Sequence, residues 1–475
     1  MNWAQFILVH FSYFILAFYI SLYAVNLYLV FSSAYDALRQ PRRLRLAVFD
    51  WQYRSLATPP ITVLMPAYNE EATVVESVRA LLGLRYPRLE VIVVNDGSDD
   101  NTLDELIRSF SLRRADLVYE PLLPTQPLRG TYLSTLDSRL LVIDKARGGK
   151  SDALNAGINL ARTPWVCSVD ADSVLEEDAL LRVIRPVVED ARVVASSGVV
   201  RVVNGCQVAG GRVTQVQLPR QWLRGWLVMI QVVEYLRGFI QGRLGWSWLN
   251  GVMIIAGAFG VFRTDVLRQV GGYSSAAVTE DMEVVVRIHR HLHRQRQPYR
   301  IVFVPDPVCW TEVPSALSPL ARQRRRWHRG LAQVLWLHRD LFFRPYIGLI
   351  GFFVLPYFVL ELVAPLVEVL GYAIVPVIWA LGWLSGEVFL LYLTLAFLLG
   401  IFLSLWAVLL EEFSYRRYAS WKDLFKLLLY ALMEFPTAHL IVVTWRLQAL
   451  YQFLRGRGEW GLQQRIGFRA RLSSS

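Results

Sequence analysis

Cysteine is scarce in this 475-residue chain: Cys167, Cys206 and Cys309 lie far apart, with no C-x-x-C and no metal-ligand spacing. That excludes a disulfide framework and a thiolate metal site, and fits reduced thiols in a cytosolic domain. Acid is the minority charge, 39 Asp and Glu against 50 Lys and Arg, for a formal net charge of +11. Such a balance suits nucleic acid, but the Lys and Arg residues cluster beside apolar stretches, which fits the positive-inside rule and an anionic inner leaflet better. Residues 6–31 lack Asp, Glu, Lys and Arg altogether. The run is long enough for a hydrocarbon core of about 30 Å. It exceeds the apolar region of a signal peptide and has no basic leader, so a retained anchor is expected. Arg39, Arg42, Arg43, Arg45 and Arg54 follow, which places the N-terminus outside and residue 39 onward in the cytosol. No internal repeat is present. Length alone predicts two or three domains, and the 54% hydrophobic content is concentrated at the two ends.

Between those ends, residues 58–205 alternate strand and helix signals, the pattern of a parallel α/β sheet. Ile61–Met65, stopped by Pro66, Glu90–Val94 and Leu140–Ile143 read as strands, and Val74, Val75, Val78, Leu81 and Leu82 recur at helical spacing. Residues 165–169 read as a further buried strand, which ends in Asp170-Ala171-Asp172. Ser173 is expected to cap a helix opening at Glu176-Glu177-Asp178. The two carboxylates would then stand at the carboxyl end of a strand, where open α/β sheets bind ligands. Such hard oxygen donors suit Mg2+ or Mn2+ beside a diphosphate, although an isolated D-x-D also reads as two solvated acids in a loop. Asn95-Asp96-Gly97-Ser98 leaves another strand tip and either holds a hydroxyl or turns the chain. In Gly148-Gly149-Lys150 the glycines allow close backbone approach and the lysine can face a phosphate; a solvated lysine is the alternative.

Six motifs occur in one order: Pro66-Ala67-Tyr68-Asn69-Glu70-Glu71, Asn95-Asp96-Gly97-Ser98, Gly148-Gly149-Lys150, Asp170-Ala171-Asp172, Thr279-Glu280-Asp281 and Gln323-Arg324-Arg325-Arg326-Trp327. That order resembles the membrane-embedded glycosyltransferase family 2 enzymes: cellulose, chitin, hyaluronan and poly-N-acetylglucosamine synthases. The resemblance covers roughly residues 58–345 and the flanking apolar helices. It implies a GT-A (Rossmann-like) α/β cytosolic domain inserted between transmembrane helices, and a UDP-sugar donor. Tyr68, Glu70 and Asp96 should hold the uridine, with Lys150 near the diphosphate, Asp170 near the donor and Asp172 on the metal. Asp281, with Glu280 beside it, should be the catalytic base that takes a proton from the acceptor hydroxyl; a capping acid is the plainer reading. Inversion then gives a β-linkage.

Gly257, Ala258, Phe259 and Gly260 should receive the acceptor's terminal sugar. Gln323, Arg326 and Trp327 share one helix face, Gln323 and Arg326 on the donor side and Trp327 under the acceptor ring. Arg322, Arg324, Arg325 and Arg329 are expected to contact anionic lipid, and His289-Arg290-His291-His293 to form a solvated basic face.

The organisation expected is an N-terminal transmembrane helix (1–38), a cytosolic domain (39–345) and three or four C-terminal membrane helices (346–455), then a basic tail (456–475). Amphipathic interface helices are expected near 218–243 and 318–343. Arg455, Arg457, Arg465, Arg469 and Arg471 favour a cytosolic C-terminus, hence an even number of C-terminal crossings. Glu361, Glu368 and Glu387 either line a route for a sugar chain or pack against neighbouring helices. The function implied is processive, metal-dependent, inverting extension of a β-linked polysaccharide, from UDP-N-acetylglucosamine first and UDP-glucose second, with translocation across the membrane. The alternative is transfer of one sugar to a lipid. Partners are the UDP-sugar, the growing polysaccharide or lipid acceptor, the bilayer and, as an option, an accessory export subunit; nucleic acid is not among them.

Overall fold

Ile61-Thr62-Val63-Leu64 and Val91-Ile92-Val93-Val94 are uncharged and, Leu64 apart, β-branched, the composition of strands covered on both faces. In the computed structural model these runs lie at the centre of a ten-stranded sheet. The structure describes residues 3–45, 55, 57–219, 225–418 and 420–456. Arg54 and the tail residues Arg457, Arg465, Arg469 and Arg471 fall outside them.

The strands are β1 (Ile61–Ala67), β2 (Leu89–Asp96), β3 (Leu112–Arg114), β4 (Leu128–Ser134), β5 (Leu140–Lys145) and β6 (Trp165–Ser168). They continue as β7 (Ser173–Leu175), β8 (Val193–Val202), β9 (Gln207–Ala209), β10 (Arg212–Gln215), β11 (Gly260–Arg263) and β12 (Arg300–Thr311). The main sheet runs β3-β4-β5-β2-β1-β6-β11-β8-β12-β7, with β9 and β10 in a separate pair. Its centre, β5-β2-β1-β6, is parallel, and register sets Ala67 opposite Asn95 and Asp96 opposite Lys145. The carboxyl ends of these four strands therefore meet along one edge. Pro66 does not stop β1: beyond Leu64↔Ser168 no β6 partner remains, so a residue without an N–H costs no ladder bond there. Helix Lys150–Leu160 packs close on the sheet at Gly157, where a Cβ would fall 2.9 Å from a methyl of Leu64.

One local expectation fails. Ser173 caps no helix; Ser173–Leu175 is β7, antiparallel to β12, and the helix begins later, at Ala179–Glu189. The partner lies more than 130 residues downstream, so nothing local in the sequence announces the strand.

The chain divides into two compact units. The α/β unit holds the sheet; the second, helical unit takes residues 3–41, 225–249 and 314–456 of those described. Thus 225–249 and 314–345, expected within a single cytosolic stretch, pack with the helical residues. Gln5–Asp36, Ile350–Ala380, Gly386–Ser414 and Trp421–Leu454 are helices long and apolar enough to cross a membrane. Among the described residues, three of these four follow the sheet. In helix Trp226–Leu236 all of Leu227–Val233 are buried, including Gln231, whose amide donates to the Leu227 and Pro314 carbonyls.

Two acids inside this unit have charged or titratable partners. Glu434 binds Arg237 at 2.8 and 2.9 Å and accepts from Ser404 at 2.7 Å, and Glu368 meets His439 at 2.8 Å. Pairing of this kind lowers the cost of ionisable groups among apolar helices.

Candidate active site

The parallel strand tips supply the floor of the site, and two loops are laced above it. Asn69, at φ +55°, accepts from the Asp99 N–H at 2.9 Å, while its own N–H donates to Ser98 Oγ at 3.0 Å. The Tyr68 hydroxyl donates to Asp99 at 3.1 Å, and the Arg147 guanidinium lies 4.2 Å from the Tyr68 ring centroid. Arg147 was not singled out from the sequence. A cation placed over a ring by another loop is a tertiary arrangement with no local signature. Glu70 accepts from Thr73 Oγ1 at 2.9 Å.

Asp96, expected to hold uridine, is buried. Its carboxylate accepts from Lys145 Nζ at 2.5 Å and from the N–H groups of Gly148 and Gly149 at 2.9 and 2.7 Å. Its immediate task is to hold the glycine turn.

Lys150 opens helix Lys150–Leu160, and its ammonium lies 2.5 Å from Asp170 Oδ1 and 3.5 Å from Glu280 Oε1. Burial works against the ammonium, but Asp170, Glu280 and then Asp281 outweigh it, and the net shift holds the proton more firmly than on a free lysine. Residues 110 positions apart in the chain thus converge on one cation. Gly257 stands at the same point, where a Cβ would come within 2.8 Å of Lys150 Nζ. Beyond β6 the chain turns tightly, Ser173 N–H donating to the Asp170 carbonyl at 3.0 Å, so that Asp170 and Asp172 both stay partly exposed. Asp281 lies in the first turn of helix Glu280–Arg294 and accepts from the Met282 N–H at 2.9 Å.

Tyr273 was also missed. Its buried phenol feels Ser168, Lys150, Glu280 and Asp281, and burial pushes its pKa up. Its backbone is fixed by Asn155, which donates to the Tyr273 carbonyl at 2.9 Å and accepts its N–H at 2.7 Å.

Burial departs from the plain sequence reading at three places. Phe259 is fully buried, its carbonyl accepting from Ser197, and Gly260 begins β11; only Gly257 and Ala258 of the expected acceptor loop reach the surface. His289 is not solvated: it is sealed in the core, Nε2 on the Val252 carbonyl at 2.9 Å and Nδ1 on Tyr299 Oη at 2.6 Å. Arg324 and Arg329 are buried rather than turned to lipid.

Arg324 belongs to helix Leu317–Leu337 of the helical unit, where it pairs with Glu234 at 2.5 Å and lies 4.4 Å from the Trp327 ring centroid. Arg326 and Trp327 are exposed on that helix and Gln323 half-buried beside them. Together they form one polar-aromatic face within their own unit.

Residues 62–117 match the family described as glycosyl transferase family 2, and residues 134–330 match glycosyltransferase like family 2. A poly-beta-1,6-N-acetyl-D-glucosamine synthase of Staphylococcus epidermidis is 28% identical over 275 residues, 58% of this chain and 55% of that protein. One from Staphylococcus aureus is 29% identical over 284 residues, 59% of this chain and 56% of the relative. The chain thus spans little more than half the length of these relatives. A mannosyltransferase from Pyrobaculum calidifontis, solved in complex with GDP-Man and Mn2+, shares the fold at TM-score 0.53 and 19% identity, over 94% of this chain and 100% of that one.

Proposed function

We propose, for a chain that carries family 2 glycosyltransferase domains on a GT-A sheet, the processive and inverting extension of a β-linked polysaccharide from a UDP-sugar. UDP-N-acetylglucosamine is the first candidate donor, in line with the named product of the staphylococcal relatives, and UDP-glucose the second. The observation that carries the reading is the convergence on Lys150, whose ammonium joins Asp170 of the D-x-D to Glu280 beside Asp281.

The residues present fit a hard divalent cation, Mg2+ or Mn2+. Asp170 and Asp172 offer oxygen donors with one residue between them beyond a strand tip, and both are partly exposed. When bound, such an ion neutralises charge on the leaving diphosphate. Asp172 would hold it, with Asp170 shared between ion and donor sugar. Lys150 would exchange part of its contact with Asp170 for a diphosphate oxygen, with Glu280 keeping the ammonium in place. Tyr68, flanked by Arg147, would stack the base, with Glu70 nearby. Asp281 would take the proton of the acceptor hydroxyl while Gly257 and Ala258 admit the sugar ring. Gln323 and Arg326 would serve the donor, and Trp327 would offer a flat face to the acceptor. The long apolar helices fit an integral membrane protein with its sheet in the cytosol and a translocated product. An accessory export subunit is compatible with this arrangement.

The test is UDP release by the purified full chain across a panel of UDP-sugars, with Mn2+, with Mg2+ and with chelator. Metal-dependent release with one sugar and a ladder of products supports the reading. Release with a single glycolipid product points instead to lipid glycosylation, and no release with any sugar contradicts both.

A further inference from the structure

No step of the transfer uses Lys145, yet its ammonium is sealed from solvent. It has three acceptors for its three N–H groups: Asp96 Oδ1 at 2.5 Å, Asp152 Oδ1 at 2.6 Å and the Ala146 carbonyl at 2.6 Å. A buried lysine is costly unless it is paired and fully hydrogen-bonded, and here it is both. Its partners lead directly to the glycine turn. Asp96 also takes the Gly148 and Gly149 N–H groups, while Asp152 accepts from the Gln126 N–H at 3.0 Å. The turn has no slack. Gly149 lies at φ +89°, ψ 171°, a region essentially confined to glycine, and a Cβ on Gly148 would fall 2.5 Å from the Asp152 carboxyl carbon. The residue after this turn is Lys150, at 2.5 Å from Asp170.

We propose that Lys145 is a positioning residue for the diphosphate subsite: by drawing Asp96 and Asp152 together it clamps the Gly148–Gly149 turn and so aims Lys150 at the acidic pair. The proposal rests on the reading of Lys150 as a phosphate ligand. Without the ammonium, the buried Asp96 carboxylate faces that of the partly exposed Asp152 with no cation between them, and their repulsion turns Asp96 towards water and away from the two glycine amides. Lys145 then acts on the donor solely through the backbone it holds.

Hydrogen exchange at residues 146–150 and UDP affinity in Mn2+ buffer, both on the full-length protein, test this. In Lys145→Met the Gly148 and Gly149 amides should exchange at least about tenfold faster and UDP should bind about 10–100-fold more weakly, while amides of β1 and of helix Glu280–Arg294 keep their protection. Asp152→Asn, which leaves the Lys145–Asp96 pair intact and so is safer for folding, should shift both readouts the same way by roughly three- to tenfold. UDP affinity within twofold of the parent in both variants overturns the proposal, as does weakened UDP binding with unchanged amide protection. If Lys145→Met does not fold, Asp152→Asn decides by the same criteria. Failure of the parent protein to bind UDP refutes the nucleotide-sugar reading instead, and the exchange rates still decide whether Lys145 holds the turn.

Discussion

A single ammonium, that of Lys150, touches acids from both halves of the motif set, and such meetings are what residue-by-residue reading of the sequence does and does not deliver. The motif order was legible, so Asp170, Asp172, Asp281 and Lys150 could be named beforehand. Burial was not. His289 sits among Arg290, His291 and Arg294, a string that reads as solvated, yet its ring faces the core because β12 brings Tyr299 beneath it. The Val252 carbonyl can only accept, so Nε2 carries the proton and Nδ1 accepts from the tyrosine. Burial, with His293 nearby, lowers the His289 pKa to about 4 against 6.5 for a free imidazole. The unfolded chain therefore takes up a proton where the folded one does not. The stabilisation is complete above pH 6.5 and drains away as pH falls towards 4, by about 3 kcal/mol in all. His289→Gln should lower the thermal midpoint at pH 7.5, by about 1–3 kcal/mol in stability, and should flatten its decline between pH 7 and 5. Parallel pH profiles for variant and parent would contradict this.

At the scale of elements, strands that owe their identity to local composition were found and those made by distant pairing were not. β1, β2, β5 and β6 are apolar runs with turn signals at their ends. β7 has three residues and exists because Cys309-Trp310-Thr311 lies alongside it. β8 carries Ser196, Ser197 and Gly198 in mid-strand, which hides its character; the serine hydroxyls are satisfied by the Val183 and Phe259 carbonyls. Helix Leu317–Leu337 shows the same division. Its i, i+3, i+4 face was visible, but the burial of Arg324 against Glu234 was not. That ion pair fixes the guanidinium beside the Trp327 ring, the face proposed above for the acceptor sugar. Trp327→Ala should shorten the products, since loss of a ring contact of about 0.5–1.5 kcal/mol speeds release of the chain between additions. Donor KM should change little. An unaltered product-length profile on gel analysis would remove Trp327 from the acceptor path.

For the whole molecule, the sequence separates apolar ends from a mixed centre, and the structure assigns the interposed stretches 225–249 and 314–345 to the helical unit. The first of them is predominantly apolar across Trp226–Leu236, and its Glu234 pairs with Arg324 of the second. The α/β unit is held by an apolar sheet core, with β1, β2 and β8 almost entirely buried, and the acidic pair lies at its edge. Chelation should therefore stop turnover by at least about a hundredfold while the thermal midpoint moves by only a few degrees; unfolding on chelation would make the ion structural. The account as a whole depends on acidic groups at that edge performing the transfer, with Asp281 accepting the proton. The most direct measurement incubates parent and Asp281→Asn proteins with radiolabelled UDP-N-acetylglucosamine and Mn2+, scoring nucleotide binding and polymer separately. The predicted result is unimpaired binding with polymer reduced by about 10²–10⁴-fold. Near-normal polymer from the Asn variant would contradict it.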